Sequence, residues 1–231
     1  MTKKSALTFL LGLSATISSA QESLTPSGTE NASPLPTPMA SAPGRNVPLR
    51  FVPPPMDGTI SLGIWDSNNK LVRVLHREAK IDNFTVEENS LSATWDGKND
   101  GGEQLPAGKY RARGYLVGKL KTDDLGRVVS PPDTAADHIS VKLATNPLIA
   151  DTRSMMELGV GFDSKGSFFK TMDGLPLATI SDSPSLTRIV VEKNGEKAAD
   201  IWQDAGSGPE HLRVSNIDKM MAFDCGFFEL K

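Results

Sequence analysis

The chain has 231 residues, of which 38% are hydrophobic, and its formal net charge is −3 at pH 7. This mild negative charge gives no electrostatic basis for binding nucleic acid or an anionic membrane, so we expect neither class of partner. Glycine and proline contribute 20 and 16 residues, a composition that favours many turns over long helices. We therefore expect an all-β protein with one or two domains.

The first residues have the pattern of a secretory signal peptide, which we place at 1–20. Lys3 and Lys4 form a basic start, residues 6–17 form an apolar run, and small residues precede a cleavage position after Ala20. The apolar run is too short to span a bilayer, although an N-terminal membrane anchor is the alternative. We expect a secreted or periplasmic protein with no membrane span after cleavage.

Residues 21–48 are rich in serine, threonine and proline and contain few large apolar side chains. Such a segment cannot bury enough apolar surface to offset the entropy that is lost on ordering. The sequence therefore predicts a disordered, partly extended spacer over this range.

Residues 49–144 show the two-residue alternation of half-buried strands. One such alternation places Trp95 on the inner face of a sheet. Further apolar alternations occur at 60–64, 71–75, 110–116 and 139–143. We predict a sandwich of about six or seven strands, closed by the strand at 139–143, with a long loop at 119–137.

The stretch 91–110 carries the most distinctive motif, a strand followed by a glycine-rich turn and a second strand. Its fold-defining positions are Trp95, Asp96, Gly97, Asp100, Gly101, Pro106, Gly108 and Tyr110. Upstream, residues 58–75 have the order strand, Asp-Asn turn, strand. Together these motifs resemble the Ig-like domain of FlgD-type flagellar hook-capping proteins, a module also found in secreted bacterial proteins without a flagellar role. The resemblance covers residues 50–118 and implies an Ig-like β-sandwich over 49–144, but no flagellar function.

Residues 96–101 resemble a calcium-binding loop, but two positions argue against one. Lys98 stands where the loop needs an oxygen ligand, and Ala107 stands where it needs a bidentate glutamate. The three histidines are His76, His138 and His211. None has a second histidine or a cysteine at ligand spacing. We expect a plain hairpin, no metal site and no cofactor, with backbone carbonyls as the alternative route to a calcium site.

Cys225 is the only cysteine of the chain, so an internal disulfide is excluded. It lies in an apolar stretch, and free cysteine is among the most buried residue types. We expect a small buried side chain, with a reactive nucleophile and an intermolecular bridge as the alternatives.

Residues 157–231, which follow a linker at 145–156, contain short apolar runs separated by turn signals. Strands at this spacing predict a small all-β meander. The turn at 163–166, followed by Phe168-Phe169, resembles the start of a β-propeller blade. Because a closed propeller needs about four or more blades, this region is either a small β domain or part of a propeller completed elsewhere.

The sequence contains no nucleophile–base motif, no phosphate-binding glycine loop and no metal-ligand cluster. We therefore predict a non-enzymatic structural or interaction module at the bacterial cell surface or in the periplasm, whose partner is an unidentified protein or a cell-surface polysaccharide. One alternative is a carbohydrate-binding accessory module with Trp65, Tyr115 and Trp202 as its binding platform. The other is the N-terminal portion of a larger secreted enzyme.

Overall fold

Antiparallel β-strands make up almost all of the computed structural model, which describes residues 45–148 and 153–231. In chain order the strands are β1 (Val47–Phe51), β2 (Thr59–Trp65), β3 (Leu71–Ala79), β4 (Thr85–Glu87), β5 (Ser90–Trp95), β6 (Gly108–Val117), β7 (Lys121–Arg127), β8 (His138–Lys142), β9 (Met155–Asp163), β10 (Gly166–Thr171), β11 (Pro176–Ser181), β12 (Arg188–Asn194), β13 (Ala198–Asp204), β14 (Glu210–Ser215) and β15 (Met220–Leu230). The one helical element of the described ranges is a 3-10 turn at Ile81–Asn83. The all-β class is therefore confirmed.

The predicted signal peptide and most of the predicted spacer lie outside the described residues. The spacer prediction extends two residues too far, because Val47 and Pro48 begin β1 and pair in register with Trp95 and Thr94 of β5. Among the described residues, no helix has the length and apolar character needed to cross a membrane.

Two sheets form a β-sandwich around one hydrophobic core. One sheet has the strand order β1-β5-β4 and the other has the order β15-β6-β2-β3. Ile60, Leu62 and Ile64 are each 0% exposed and lie in this core, as predicted. The alternate residues Ser61 and Gly63 are buried as well, so β2 is not the half-buried strand that the alternation predicts. Trp95 lies in the same core, as its position in β5 predicts.

The strand that completes the larger sheet comes from far along the chain. β15 pairs with β6 over the full length of both strands. The prediction that residues 139–143 close the sandwich is wrong, because β8 in that range pairs with β9. β8 has the cleaner apolar alternation of the two stretches, but alternation specifies which face of a strand is buried and not which neighbour it pairs with.

The segment between β6 and β15 forms a second pair of sheets around another core. Their strand orders are β11-β10-β9-β8 and β12-β13-β14-β7. The β8 and β12 edges are joined by two backbone hydrogen bonds of 2.8 and 2.7 Å between Ala136, just before β8, and Val191 of β12. The β7 and β11 edges are joined by a hydrogen bond of 3.5 Å from Thr122 Oγ1 to the Ile180 carbonyl oxygen. The two sheets therefore enclose one shared core and are joined at both pairs of edges. This arrangement differs from a β-propeller, in which each blade is a separate sheet set around a central channel.

A strand occupies part of the range predicted to be a long loop. β7 pairs with β14 through its backbone, yet six of its seven residues are exposed. An exposed edge strand needs no apolar alternation, so the sequence pattern that marks half-buried strands is missing there.

The second core also covers one face of the larger sheet of the first sandwich. Trp65 of β2, Tyr115 of β6 and Met220 of β15 belong to the second core. Beside them, the Glu78 carboxylate accepts hydrogen bonds from the backbone N–H of Thr179 at 2.8 Å and from its hydroxyl at 2.7 Å. At this end the β15-β6-β2-β3 sheet is therefore buried on both faces.

Candidate functional site

β15 presents an exposed phenylalanine because a bulge changes which way its last residues face. Phe223 lies in the first core at 1% exposed, and the pairing register then shifts between Asp224 and Gly226. Gly226 has a φ of 82°, a left-handed conformation that glycine adopts without a side-chain clash. After the bulge, Phe228 packs against the first core, whereas Phe227 is 59% exposed. One of two adjacent phenylalanines is thereby displayed on the outer face of the sheet.

Two cations of β6 lie over the Phe227 ring. Lys109 Nζ is 4.4 Å and Arg111 Cζ is 4.9 Å from the ring centroid. Asp224 holds Arg111 in place, since its Oδ2 accepts a hydrogen bond from Arg111 Nε at 2.9 Å. We refer to Lys109, Arg111 and Phe227 as the Phe227 strip. It offers an apolar ring flanked by cationic N–H donors, a combination that can bind carboxylates set beside apolar groups.

Arg113 and Trp65 form a buried counterpart farther along the same face. Arg113 Cζ lies 4.2 Å from the Trp65 ring centroid. Asp173 Oδ2 accepts hydrogen bonds from Trp65 Nε1 at 2.5 Å and from Arg113 Nη2 at 2.9 Å. Trp65 is only 1% exposed, so it does not present its ring to solvent as a binding platform requires. The sequence places Trp65 at a strand end, but the second sandwich covers it there.

The other two aromatic candidates are also buried. Tyr115 is 7% exposed, and its hydroxyl accepts a hydrogen bond from Arg153 Nη1 at 3.2 Å. Burial raises the pKa of this hydroxyl. Trp202 is 6% exposed and stacks on His211 with 4.7 Å between the ring centroids. The three rings are therefore buried and do not form the binding platform that the sequence suggested. The position of a ring in a strand does not by itself reveal what packs over it.

A buried carboxylate organises one face of the β13–β14 pair. Asp200 is 8% exposed and accepts hydrogen bonds from Arg213 Nε at 2.7 Å, Arg213 Nη2 at 3.0 Å and Asn194 Nδ2 at 2.7 Å. Burial by itself would raise the pKa of Asp200, but these hydrogen bonds and the Arg213 charge outweigh it and hold the pKa below its usual range. His211 Nε2 lies 3.6 Å from Asp200 Oδ1. These contacts tie three neighbouring strands together.

The histidines lie in separate environments. His76 packs against the Phe84 ring with 4.5 Å between centroids, and burial lowers its pKa. His138 Nδ1 lies 2.6 Å from Asp137 Oδ1. Within residues 45–148 and 153–231, no three side chains of His, Cys, Asp or Glu are grouped so that they could hold a metal ion.

Carboxylates of the glycine-rich turn bind backbone groups nearby. Asp96 Oδ1 accepts a hydrogen bond from the Lys98 backbone N–H at 3.1 Å, and Gly97 between them has a φ of 74°. Asp100 Oδ1 accepts one from the Val74 backbone N–H at 2.9 Å. The motif therefore shapes its own loop and fastens that loop to the edge strand β3.

Sequence reasoning missed the Phe227 strip, although a signal was present. Neighbouring residues of a strand face opposite sides, so Phe227 and Phe228 cannot both enter one core. Lys109 and Arg111 likewise alternate with the core residue Tyr110 on β6. The missing information was the bulge, which decides which phenylalanine is outside, and the pairing of β15 with β6.

No protein-family model matches the chain, and no curated protein matches it. Among solved structures, a crystal structure of truncated FlgD from Helicobacter pylori matches with 14% sequence identity and a TM-score of 0.25, over 80% of this chain and 82% of that chain. At this identity and TM-score the match is a weak, fold-level similarity.

Proposed function

We propose that this chain is a non-enzymatic interaction module of the bacterial cell surface or periplasm, and that it binds a partner protein through the Phe227 strip. The supporting observation is the exposure of Phe227, which keeps 59% of its surface in solvent. Aromatic and arginine side chains are enriched at protein interfaces and among the residues that contribute most to binding. A docked partner would remove the exposed ring from water.

The strip fits a partner that presents carboxylates around an apolar contact. Lys109 and Arg111 place N–H donors beside the ring, and an arginine can give a carboxylate two parallel hydrogen bonds. Glu229 pairs in register with Lys109, and Asp224 binds Arg111, so the face carries charges of both signs. A face of mixed charge is better matched by a protein surface than by a uniformly charged polymer.

Ion pairs at the junction of the two sandwiches support the non-enzymatic role. Arg77 binds Asp163 at 2.8 Å, and Arg113 binds Asp173 at 2.9 Å. The Arg77 hydrogen bond lowers the pKa of Asp163, which makes this carboxylate a poor general base near neutral pH. The junction charges therefore join elements to each other.

The test is binding of the purified full chain to cell envelopes isolated from the bacterium that encodes it, with the bound fraction measured by sedimentation. Phe227→Ser should weaken binding by about tenfold or more, since aromatic residues at interface centres contribute about 2 kcal/mol or more. Phe162→Ser is the matched control, because Phe162 is 41% exposed on a different strand. It should leave binding unchanged.

Envelopes treated with a proteinase separate the two partner classes. Loss of binding supports a protein partner, whereas retained binding that still depends on Phe227 transfers the assignment to a polysaccharide. Equal binding by both variants would reject the strip as the docking surface. Turnover of glycosidase, esterase or peptidase substrates that is lost on one substitution would overturn the non-enzymatic role.

A further inference from the structure

A pocket of about 260 Å³ lies at one end of the first sandwich. It is lined by residues 66–68 of the β2–β3 turn, by Val72 of β3, and by residues 105–110, which lead into β6 and form its start. Its volume is just below the range of about 300–1,000 Å³ that is typical of small-molecule sites, so it suits one side chain or a molecule of that size. The inference below concerns this pocket and does not rest on the proposed function.

Backbone hydrogen bonds fix two walls of the pocket before a ligand enters. The Leu105 N–H donates to the Gly97 carbonyl at 2.9 Å and holds the loop that leads into β6. The turn opposite is closed by a hydrogen bond of 3.0 Å from the Asp66 N–H to the Lys70 carbonyl. A pocket with fixed walls loses little conformational entropy on binding.

Asp66 brings a carboxylate to this pocket. Its Oδ1 atom accepts hydrogen bonds of 2.9 Å from the backbone N–H groups of Asn68 and Lys70. Within residues 45–148 and 153–231, its Oδ2 atom has no hydrogen-bond partner, and the carboxylate forms no ion pair. Oδ2 is not a buried atom, so a ligand in the pocket can reach it.

Two cations beside the pocket are engaged elsewhere. Lys109 Nζ lies 4.4 Å from the centroid of the Phe227 ring on β15, and β6 separates β15 from β2, at whose end Asp66 lies. Arg45 Nη1 donates to the Leu105 carbonyl at 2.6 Å. Neither cation pairs with the Asp66 carboxylate, so its charge favours a cationic ligand.

The form of the acceptor restricts which cation fits. Calcium needs about six oxygen ligands or more, whereas the pocket supplies one carboxylate. A guanidinium group binds best to two carboxylate oxygens at once, but Asp66 Oδ1 already accepts two backbone N–H groups. An ammonium group is a compact charge that one open oxygen can accept. Val72, Leu105 and Pro106 add apolar surface for the methylene groups of its stem.

We propose that this pocket binds a primary alkylammonium group. The ammonium pairs with Asp66 Oδ2, and the alkyl stem packs against Val72, Leu105 and Pro106. This chemistry is present in the lysine side chain of a protein and in a free diamine.

An amide NMR titration of the full chain tests the pocket with lysine capped as its N-acetyl methylamide. The amide signals of Ser67 and Gly108, which line the pocket, should shift saturably. Asp66→Asn should weaken binding about fivefold or more, because it removes the charge while its amide oxygen still accepts the two backbone N–H groups. Asp82→Asn is the matched control, because it removes the same charge from an exposed residue outside the pocket, and it should bind as the unchanged protein does.

Two further measurements separate the charge from the fit. Capped norleucine has a similar apolar stem without the ammonium group, so it should bind at least about fivefold more weakly than capped lysine. Ala107→Phe places a ring at an exposed position of the lining and should abolish saturable binding.

Cadaverine, a free diamine, distinguishes the two sources of the alkylammonium group. Tighter binding by capped lysine identifies a protein segment, because the peptide groups then contribute to binding. Equal or tighter binding by cadaverine identifies a free diamine.

The inference is overturned if capped lysine causes no saturable shift, if capped norleucine binds equally well, or if Asp66→Asn or Ala107→Phe binds capped lysine as the unchanged protein does. The same spectra show whether each variant is folded. The envelope-binding experiment changes Phe227 and leaves Asp66 in place, so the failure of one proposal does not decide the other.

Discussion

Trp95 shows how one residue connects the turn motif to the first core. It is 0% exposed, and its ring centroid lies 5.3 Å from that of Tyr110 and 5.7 Å from that of Phe228. Its Nε1 donates to the Lys98 carbonyl at 2.8 Å, so the ring also orders the turn that follows it. β5, β6 and β15 thus meet at this side chain.

Replacing Trp95 with alanine should destabilise the protein by about 3–5 kcal/mol, because it removes buried apolar surface and leaves a cavity. Asp96→Ala, one residue later, loses mainly the hydrogen bond to Lys98 and should cost about 1 kcal/mol. Denaturant unfolding of both full-length variants measures the two free energies. Equal losses would show that Trp95 is not a core residue.

Cys225 should be unreactive in the folded protein. Burial, together with the nearby Asp224 charge, raises the pKa of its thiol to about 12. The thiolate is the reactive form, so at pH 8 its fraction is on the order of one in ten thousand. Ellman's reagent should react at least about a hundredfold faster in concentrated urea than with the native chain. Comparable rates in both solvents would make Cys225 an accessible nucleophile.

At the residue scale, alternation predicted which side chains face the first core, but not what covers the opposite face of the larger sheet. Trp95 enters a core that its own alternation specifies, so its burial could be read from the sequence. Trp65 lies on the face of β2 opposite to Ile60, Leu62 and Ile64, and the second core covers that face, with Asp173 bound to the indole N–H. Trp65 and Asp173 are 108 positions apart in the chain. The sequence around Trp65, including the uncharged Asn68-Asn69 turn after β2, therefore gave no hint of this contact.

At the scale of the strand, the Asp200 ion pair on β13 predicts acid sensitivity. The pKa of Asp200 is lower in the folded chain than the value of about 3.9 in an unfolded one. Its stabilising contribution is therefore fully present above about pH 5 and is lost as the pH falls through the folded pKa.

Urea unfolding between pH 5 and pH 3 measures this contribution. The unchanged protein should lose more free energy of unfolding over that interval than Asp200→Asn, which cannot titrate. Asp133→Asn is a suitable control because Asp133 is exposed, and its pH profile should follow that of the unchanged protein. Parallel profiles for Asp200→Asn and the unchanged chain would remove Asp200 from the acid-sensitive groups.

Strands with a buried face were predictable, and strands without one were not. Residues 91–95 alternate cleanly because one side of β5 contacts the core and the other does not. Residues 60–64 alternate between large and small side chains, although both faces of β2 are buried. β7 contains Lys121, Asp123 and Arg127 and is held by backbone pairing with β14, so its sequence resembles a polar loop. Hydrogen bonds to a neighbour can stabilise a strand without leaving any apolar period.

At the scale of the molecule, the insertion between β6 and β15 was beyond the reach of sequence reasoning. Periodicity identifies each strand by itself, whereas sheet order depends on contacts between residues far apart in the chain. Residues 139–143 alternate cleanly, whereas residues 220–230 contain runs of adjacent apolar residues, and loop closure costs depend only weakly on length. Nothing local therefore indicated that the later strand completes the first sheet.

This topology predicts that the two sandwiches unfold together. β15 contributes Phe223 and Leu230 to the first core and Met220 and Ala222 to the second. Neither core can lose β15 without disrupting the other, and the Arg113–Asp173 pair adds a further connection. Hydrogen exchange followed by mass spectrometry at increasing urea should show β2 and β13 losing protection at the same midpoint.

Phe223→Ala sharpens the test of joint unfolding. It truncates a side chain of the first core only and should lower stability by about 3–5 kcal/mol. If the sandwiches are one cooperative unit, peptides from β13 should shift to lower urea by the same amount as peptides from β2, although the buried β13 residues Ala199 and Ile201 belong to the second core and Phe223 to the first. Val214→Ala in the second core is the reciprocal variant, since Val214 is 0% exposed there. Protection of β13 that persists after β2 has exchanged would show that the inserted sheets fold independently and that β15 does not couple the cores.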